Sequence, residues 1–128
     1  MEFKNKESWR LSHDFKKGKY CFLIGANNWA VELQEKEFIS LYELTNKLNN
    51  EFLILKDHLM DQELVNLELE TLNWYAELEG TKKNWSLRIV FESDDETRSF
   101  EMYWPIQIAE TLCIEIKKMW ESMQKKHK

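Results

Sequence analysis

The stretch from Val65 to Trp104, VNLELETLNWYAELEGTKKNWSLRIVFESDDETRSFEMYW, specifies the fold of this chain. Apolar and polar residues alternate in four parts of it, which is typical of β-strands with one buried face, because successive side chains point to opposite sides. The alternating parts are residues 65–70, 72–79, 85–92 and 99–104, and the polar, turn-like segments 80–84 and 93–97 separate the later three. We predict a four-stranded antiparallel meander that buries Trp74, Trp85 and Trp104 on one side.

Matching the apolar faces fixes the predicted register of the meander, since a slip of one residue would turn a strand over. The predicted pairs are Leu78–Trp85, Ala76–Leu87 and Trp74–Ile89 between the second and third strands, then Phe91–Phe100, Ile89–Met102 and Leu87–Trp104 between the third and fourth. On the polar side this register places Tyr75, Arg88 and Tyr103 in one row. Such a row suits the stacking of single-stranded nucleic-acid bases. It equally suits a cross-strand cation–π ladder or a surface that a partner subunit covers.

The residues around the meander predict two halves, each a sheet followed by a helix. Strands are predicted at residues 8–13, 20–24 and 29–34, helices at 35–60 and from Pro105 to about 124, and a frayed segment at 1–7. The prediction is an α+β fold of antiparallel sheets in the order βββ-α-ββββ-α, as a single domain over residues 1–128. Its halves, at about 8–60 and 65–124, repeat the same pattern and suggest an internal pseudo-repeat.

The first predicted helix is long for the sheet that it covers. Its ~26 residues would span ~39 Å, whereas even a five-stranded sheet, wider than either predicted sheet, is only ~24 Å wide. The end of its apolar stripe, Phe52, Leu55 and Leu59, would therefore need another surface to cover it. A second copy of the chain is the simplest source of that surface, so we predict a homodimer with these residues in its interface.

Charge is unevenly distributed along the chain. The net charge is −5, but residues 1–20 hold six Lys/Arg against three Asp/Glu, and residues 115–128 hold five against two, so each end is +3 and the middle is −11. The basic ends could contact a polyanion. Alternatively, the final lysines complement a helix dipole and keep the tail solvated. Two isolated cysteines, no apolar run of ~20 residues and no apolar signal at the start predict a cytoplasmic protein with reduced thiols.

Several phrases carry a family resemblance: Ser8-Trp9-Arg10-Leu11, Leu23-Ile24-Gly25, Trp29-Ala30-Val31-Glu32-Leu33, Trp85-Ser86-Leu87-Arg88 and Trp104-Pro105. In this order they resemble a family of small uncharacterised cyanobacterial proteins with plastid relatives. That family's fold is similar to the one of the Whirly-type single-stranded-DNA-binding transcriptional regulators. The resemblance implies two sheet-plus-helix halves and dimers formed through helices. Lys17-Gly18-Lys19 also matches the Lys-Gly-Lys signature of Whirly proteins.

The sequence offers no constellation for catalysis. Its three histidines are isolated, and it has no His-Glu-x-x-His, no P-loop and no Gly-x-Ser-x-Gly. The acidic turn 94–96 lacks the spacing of a calcium loop. We therefore predict a protein that is not an enzyme and has no metal and no cofactor.

Two function classes remain open. The first is a single-stranded nucleic-acid-binding, transcription-regulator-like protein. Its candidate residues are a basic patch of Arg10, Lys16, Lys17 and Lys19 with the row of Tyr75, Arg88 and Tyr103. Glutamates beside that row would repel phosphates, so the strand is expected to follow the basic patch. The second class is a protein-interaction or assembly module that binds no nucleic acid, favoured by the acidic middle of the chain and the exposed aromatic row.

Overall fold

The computed structural model describes residues 2–6, 9–95 and 97–126 of the chain. Its elements are β1 (Glu2–Lys6), β2 (Trp9–His13), β3 (Phe22–Gly25), β4 (Ala30–Leu33), α1 (Glu35–Lys56), β5 (Val65–Glu70), β6 (Trp74–Gly80), β7 (Trp85–Glu92), β8 (Ser99–Trp104) and α2 (Ala109–Lys126). Two antiparallel sheets, each with its strands in sequence order, are each followed by a helix. The predicted α+β arrangement of sheet, helix, sheet and helix is confirmed.

The first sheet has one strand more than predicted. Glu2–Lys6, within the segment 1–7 that was expected to be frayed, pairs antiparallel with β2 from Glu2↔His13 to Lys6↔Trp9. Residues 1 and 7 of that segment lie outside the described part of the chain. The sequence EFKNK has a single apolar residue and no alternation to reveal a strand. An edge strand of this kind is ordered by backbone hydrogen bonds to its neighbour, which a hydrophobic pattern cannot predict.

The large apolar side chains of both sheets meet in one buried cluster. Trp74, Trp85 and Trp104 all lie in it, at most 3% exposed, so the prediction that they share one side of the meander is confirmed. Leu72 is an exception, because it lies in the turn before β6 and is 91% exposed. That turn is closed by Thr71 N–H donating to the carbonyl of Trp74, at 2.8 Å.

The predicted register is correct for β7–β8 and wrong for β6–β7. Phe91↔Phe100, Ile89↔Met102 and Leu87↔Trp104 are confirmed. Between β6 and β7, however, Trp74 pairs with Phe91, Ala76 with Ile89 and Leu78 with Leu87, a shift of two residues. The reason is that Gly80 extends β6 and pairs with Trp85, so the turn shortens to residues 81–84, with Thr81 N–H 2.9 Å from the Asn84 carbonyl. A shift of two keeps every side chain on its face, and hydrophobic alternation therefore could not detect it.

The two helices lie over the inner faces of the sheets and against each other. α1 packs on β5, β6 and α2, and α2 packs on β7 and β2. The ring of Tyr42 on α1 stacks on that of Trp120 on α2, with centroids 4.4 Å apart. α2 begins at Ala109 rather than at Pro105, because Gln107 has a positive φ of 77°, which interrupts the helical backbone. The Pro105 carbonyl accepts the N–H groups of Ile108 and Ala109 in the turn that precedes the helix, both at 3.1 Å. No helix in the described residues is long and apolar enough to cross a membrane.

The three residues predicted for a dimer interface at the end of α1 contact the core of the chain itself. α1 is continuous from Glu35 but ends at Lys56, four residues before the predicted end. Phe52 and Leu59 are at most 9% exposed and belong to the core of the chain itself, with Leu55 partly buried against it. The loop turns back after α1, where Lys82 Nζ donates to the Leu59 carbonyl at 3.0 Å. Phe52 and Leu59 therefore have little exposed surface for a partner to cover, whereas Leu55 keeps part of its surface exposed.

Candidate functional site

No helix of the described residues covers the outer side of the second sheet, and we call this side the acidic face. Its thirteen outward residues are Asn66, Glu68 and Glu70 on β5, Tyr75, Glu77 and Glu79 on β6, Ser86, Arg88, Val90 and Glu92 on β7, and Ser99, Glu101 and Tyr103 on β8. None of them is buried. Six glutamates and one arginine give this face a formal charge of −5, which equals the net charge of the whole chain.

Arg88, the single cation of the acidic face, lies between two carboxylates. Its Nε is 3.4 Å from Glu77 Oε1, and its Nη1 forms an ion pair with Glu101. These two contacts, that with Glu101 foremost, raise the pKa of Arg88. The guanidinium also lies over the ring of Tyr75, with Cζ 5.4 Å from the centroid. Its charge is thus balanced within the protein, which leaves little of it to attract a phosphate.

The predicted row of Tyr75, Arg88 and Tyr103 is wrong in one member. The observed row runs Glu68, Glu77, Arg88, Tyr103, because the register of β6 is shifted by two residues. Tyr75 lies in the next row, opposite Val90, and reaches Arg88 only diagonally. A carboxylate therefore stands where the platform for stacked bases would need an aromatic ring.

Glutamates oppose each other on the β5–β6 half of the acidic face. Glu68 pairs directly with Glu77 across the two strands, and like charges in such a pair are destabilising. Asn66 Nδ2 relieves part of the repulsion, donating to Glu77 at 3.0 Å and to Glu79 at 3.5 Å. The hydrogen bond from Asn66, with the contacts from Arg88, lowers the pKa of Glu77. Burial of its hydroxyl and the neighbouring charges of Glu77 and Glu68 raise the pKa of Tyr75.

The predicted basic patch is divided between two places. Lys16, Lys17 and Lys19 lie together in the turn between β2 and β3, which we call the lysine turn, and all three are exposed. Lys17 forms an ion pair with Glu32, and Lys19 Nζ is 5.7 Å from the centroid of the Tyr20 ring. Arg10 lies toward the other end of β2, opposite Gly25, about 10 Å along the strand from its end at His13. The lysine turn belongs to the first sheet, whereas Tyr75, Arg88 and Tyr103 belong to the second.

Sequence reasoning recognised the alternating glutamates but not their arrangement. The signal for the acidic face was present in the repeats Leu67-Glu68-Leu69-Glu70 and Glu77-Leu78-Glu79. That Glu68 faces Glu77, and that Asn66 bridges two carboxylates, follows only from the register. Among the described residues, no group of three or more His, Cys, Asp or Glu is placed to hold a metal ion.

The two cysteines are free thiols, remote from the acidic face in the described structure. Cys21 precedes β3, and Cys113 lies on α2. Burial raises the pKa of Cys113 to about 12, and burial also raises that of Cys21. Neither thiol is thereby activated as a nucleophile, since thiolate is the reactive form.

Comparisons with known proteins identify relatives whose function is unknown. A family described as "Domain of unknown function (DUF1818)" matches residues 4–119. A crystal structure of a protein with unknown function, described as from the DUF155 family of Prochlorococcus sp. NATL2A, is 32% identical with a TM-score of 0.86, over 94% of this chain and 99% of that one. No curated protein shows significant similarity.

Proposed function

Since the chain belongs to the DUF1818 family, whose function is unknown, we propose from its surface that it is a non-enzymatic protein-interaction module. Its acidic face would bind a partner protein through Lys and Arg side chains. The observation that carries this proposal is the imbalance of six glutamates against one arginine that is already paired.

An antiparallel sheet with one wet face is ordinary, and polar residues there need no partner. The acidic face differs from such a surface in composition, because charges of both signs usually alternate and opposite charges favour cross-strand pairs. Here Glu68 and Glu77 face each other, and the strands β5 and β6 have no outward cation. A basic partner would replace that repulsion by ion pairs and would be steered to the face by its field. Tyr75 and Tyr103 add contact area of the kind that protein interfaces favour.

The proposal is tested with glutamate-to-glutamine variants at matched net charge. The triple variant E68Q/E70Q/E79Q removes three charges from the face without touching the Arg88 pairs. The control E43Q/E51Q/E110Q removes three exposed charges from the helices. With poly-L-lysine as the probe in calorimetry, the face variant should bind roughly tenfold more weakly than wild type, since three exposed ion pairs of about 0.5 kcal/mol sum to about 1.5 kcal/mol. Equal losses in the two variants would show that only net charge matters and would refute the site.

A second candidate function is single-stranded nucleic-acid binding at the lysine turn, with a transcription-regulator-like role. The observation that favours it is Phe15, which is 51% exposed beside Lys16 and Lys17. Its ring lies 4.2 Å from that of His13, and its exposed part could stack on a base. The resemblance of the sequence to a family with a Whirly-like fold, together with the Lys17-Gly18-Lys19 match, supports it. The adjoining ion pair of Lys17 with Glu32 weakens it, because it consumes one of three charges.

Salt titration with a fluorescent oligothymidylate separates this candidate from the first. Binding by phosphate contacts should weaken steeply as salt rises. The variant K16E/K17E/K19E reverses the charges of the lysine turn and should abolish binding. The control K47E/K117E/K125E reverses the charges of three exposed helix lysines and should retain binding. No binding at about 50 mM salt would exclude nucleic acid as the ligand.

A homodimer remains part of the proposal, but its interface is now placed on exposed apolar residues instead of Phe52, Leu55 and Leu59. Leu53, Ile54, Met60 and Leu64 are 52, 74, 76 and 81% exposed, at the end of α1 and in the loop that follows. Exposed apolar side chains concentrated in one segment are typical of contact surfaces. Light scattering at high micromolar concentration should report a dimer, and L53S/I54S should shift it to a monomer. A wild-type monomer at that concentration would refute the assembly.

A further inference from the structure

β5 is an open edge of the second sheet. Among the described strands it pairs with β6 alone, over six residues from Val65↔Gly80 to Glu70↔Tyr75. The other side of its backbone therefore faces away from the sheet. The N–H and C=O groups on that side of an edge strand are available to a further strand, which gives β-augmentation its main-chain hydrogen bonds.

The inner side of β5 is incompletely covered. Leu67 and Leu69 are only half-buried, although their partners on β6, Leu78 and Ala76, are at most 1% exposed. α1 packs against both β5 and β6, but the inward side chains are buried on β6, whereas Leu67 and Leu69 on β5, at the edge, are only partly buried. Apolar side chains on an added strand would continue the core beyond Leu67 and Leu69 and remove their exposed surface from water.

The outer side of β5 selects the charge of the added strand. Glu68 and Glu70 point outward, and no cation lies on β5 or β6 beside them. Outward residues of an added strand would stand directly beside these glutamates, at the ~5 Å separation of cross-strand pairs. A second copy of β5 would place glutamates against glutamates there. Lysine or arginine at the same positions would instead form ion pairs. The edge therefore disfavours a second copy of β5 and favours a basic strand.

We propose that the partner of the acidic face binds as an extended segment added to the outer edge of β5, with apolar residues facing inward and Lys or Arg residues facing outward in strict alternation. This inference rests on the proposed function, because it assumes that the ligand of the face is a basic protein. It adds the form of that ligand, an amphipathic β-segment of another protein. Glu68 and Glu70 would form ion pairs with its basic side chains, and Leu67 and Leu69 would pack against its apolar side chains.

The test uses a capped peptide, Lys-Val-Lys-Val-Lys-Val-Lys, and two isomers N-methylated at the valines or at the lysines. In an added strand the amides of alternate residues point to β5, so only one pattern of methylation removes hydrogen bonds to the protein. We expect the parent peptide and one isomer to bind equally, and the other isomer to bind at least about tenfold more weakly. Hydrogen exchange within residues 65–70 should slow when the parent peptide binds.

Protein variants identify the strand that the peptide uses. E68Q/E70Q should weaken binding of the parent peptide by several-fold, while the control E43Q/E51Q, with two exposed glutamates of α1 changed, should not. Equal binding of all three peptides would refute strand addition and leave the proposed charge recognition intact. Binding of poly-L-lysine without binding of the alternating peptide would refute it in the same way. Failure of both probes would refute the proposed function as well.

Discussion

Arg98 and Glu37, 61 residues apart, join the start of β8 to the start of α1. Nη1 of Arg98 lies 2.7 and 2.6 Å from the two carboxylate oxygens of Glu37, whose side chain is only 8% exposed. The guanidinium also donates to the carbonyl of Glu32 and lies 4.9 Å from the centre of the Tyr20 ring. Glu37 in turn accepts the backbone N–H of Gln34 at 2.8 Å, which caps α1. One ion pair thus fixes the first helix to both sheets.

Removal of Arg98 should destabilise the fold far more than removal of an exposed arginine. R98A leaves the buried carboxylate of Glu37 without its cation, and we expect the free energy of unfolding to fall by about 2–4 kcal/mol. R98K should recover only part of this loss, because an ammonium group lacks the planar fork that reaches both Glu37 and the Glu32 carbonyl. Urea denaturation measures the difference. The control R88A breaks a more exposed ion pair and should lower the free energy of unfolding by about 0–1 kcal/mol. Equal losses in R98A and R88A would contradict the stabilising role of the Arg98–Glu37 pair.

Trp104 joins the sheets through a single buried hydrogen bond. Its Nε1–H donates to the carbonyl of Gly25 at 3.1 Å, and its ring lies 5.4 Å from that of Trp29. W104F removes this hydrogen bond, which should cost about 0.5–1.5 kcal/mol beyond the lost ring volume. W74F removes the same atoms from an equally buried tryptophan and is the matched control. Chemical denaturation should give a lower free energy of unfolding for W104F than for W74F. The reverse order would show that the Trp104–Gly25 hydrogen bond contributes nothing to stability.

Hydrophobic alternation predicted much of this fold because a half-buried strand imposes it directly. β5, β7 and β8 and the inward tryptophans follow from it, and the three- and four-residue spacing after Glu35 predicted α1. It could not find β1, which depends on backbone pairing, nor the β6–β7 register, which depends on where a turn closes. The start of α2 depends on the backbone of Gln107, a property with no sequence period.

Candidate site residues were predictable as types but not as partners. The sequence showed that Glu68 and Arg88 point to the wet face, since alternation sets the face. It could not show that Arg88 is paired with Glu77 and Glu101, because side chains on neighbouring strands meet only once the register is fixed. The ion pair of Arg98 is unpredictable for the same reason, because its partner Glu37 lies in the other half of the chain and no local pattern joins them.

Gly25 is required by a close backbone approach in the β3–β4 hairpin. A Cβ at this position would lie 2.2 Å from the Trp29 carbonyl oxygen, a backbone atom that cannot swing aside. G25A should therefore lower the free energy of unfolding by about 2–3 kcal/mol through overpacking. At Gly18, with φ of +80° and no atom within 4 Å of the place that a methyl group would take, alanine meets only conformational strain of about 1 kcal/mol. Thermal unfolding of the two variants should show the larger shift for G25A, and equal shifts would contradict the contact.

Asp95 titrates far below an ordinary aspartate, and its hydrogen bonds explain why. Its Oδ1 accepts the Thr97 hydroxyl at 2.7 Å, the Thr97 N–H at 3.1 Å and the Ser93 hydroxyl at 2.8 Å. These bonds, that of the Thr97 hydroxyl foremost, lower the pKa of Asp95 from 3.8 to about 2. Since the folded-state pKa lies below the unfolded one, ionised Asp95 stabilises the fold above pH ~4, and this contribution is lost as the pH falls through about 2.

Replacement of one donor should move this pKa in a defined direction. T97V removes the hydroxyl and keeps the backbone N–H, so we expect the carboxyl of Asp95 to titrate between about 2 and its ordinary 3.8. S93A removes the less influential donor and should shift the pKa less. Carbon-13 NMR of the aspartate carboxyl groups against pH measures both shifts, with the resonance assigned by its absence in D95N. A wild-type midpoint near 3.8 would show that the turn does not hold these bonds in solution. In that case the free energy of unfolding of wild type and of D95N would depend on pH in the same way between pH ~4 and ~2.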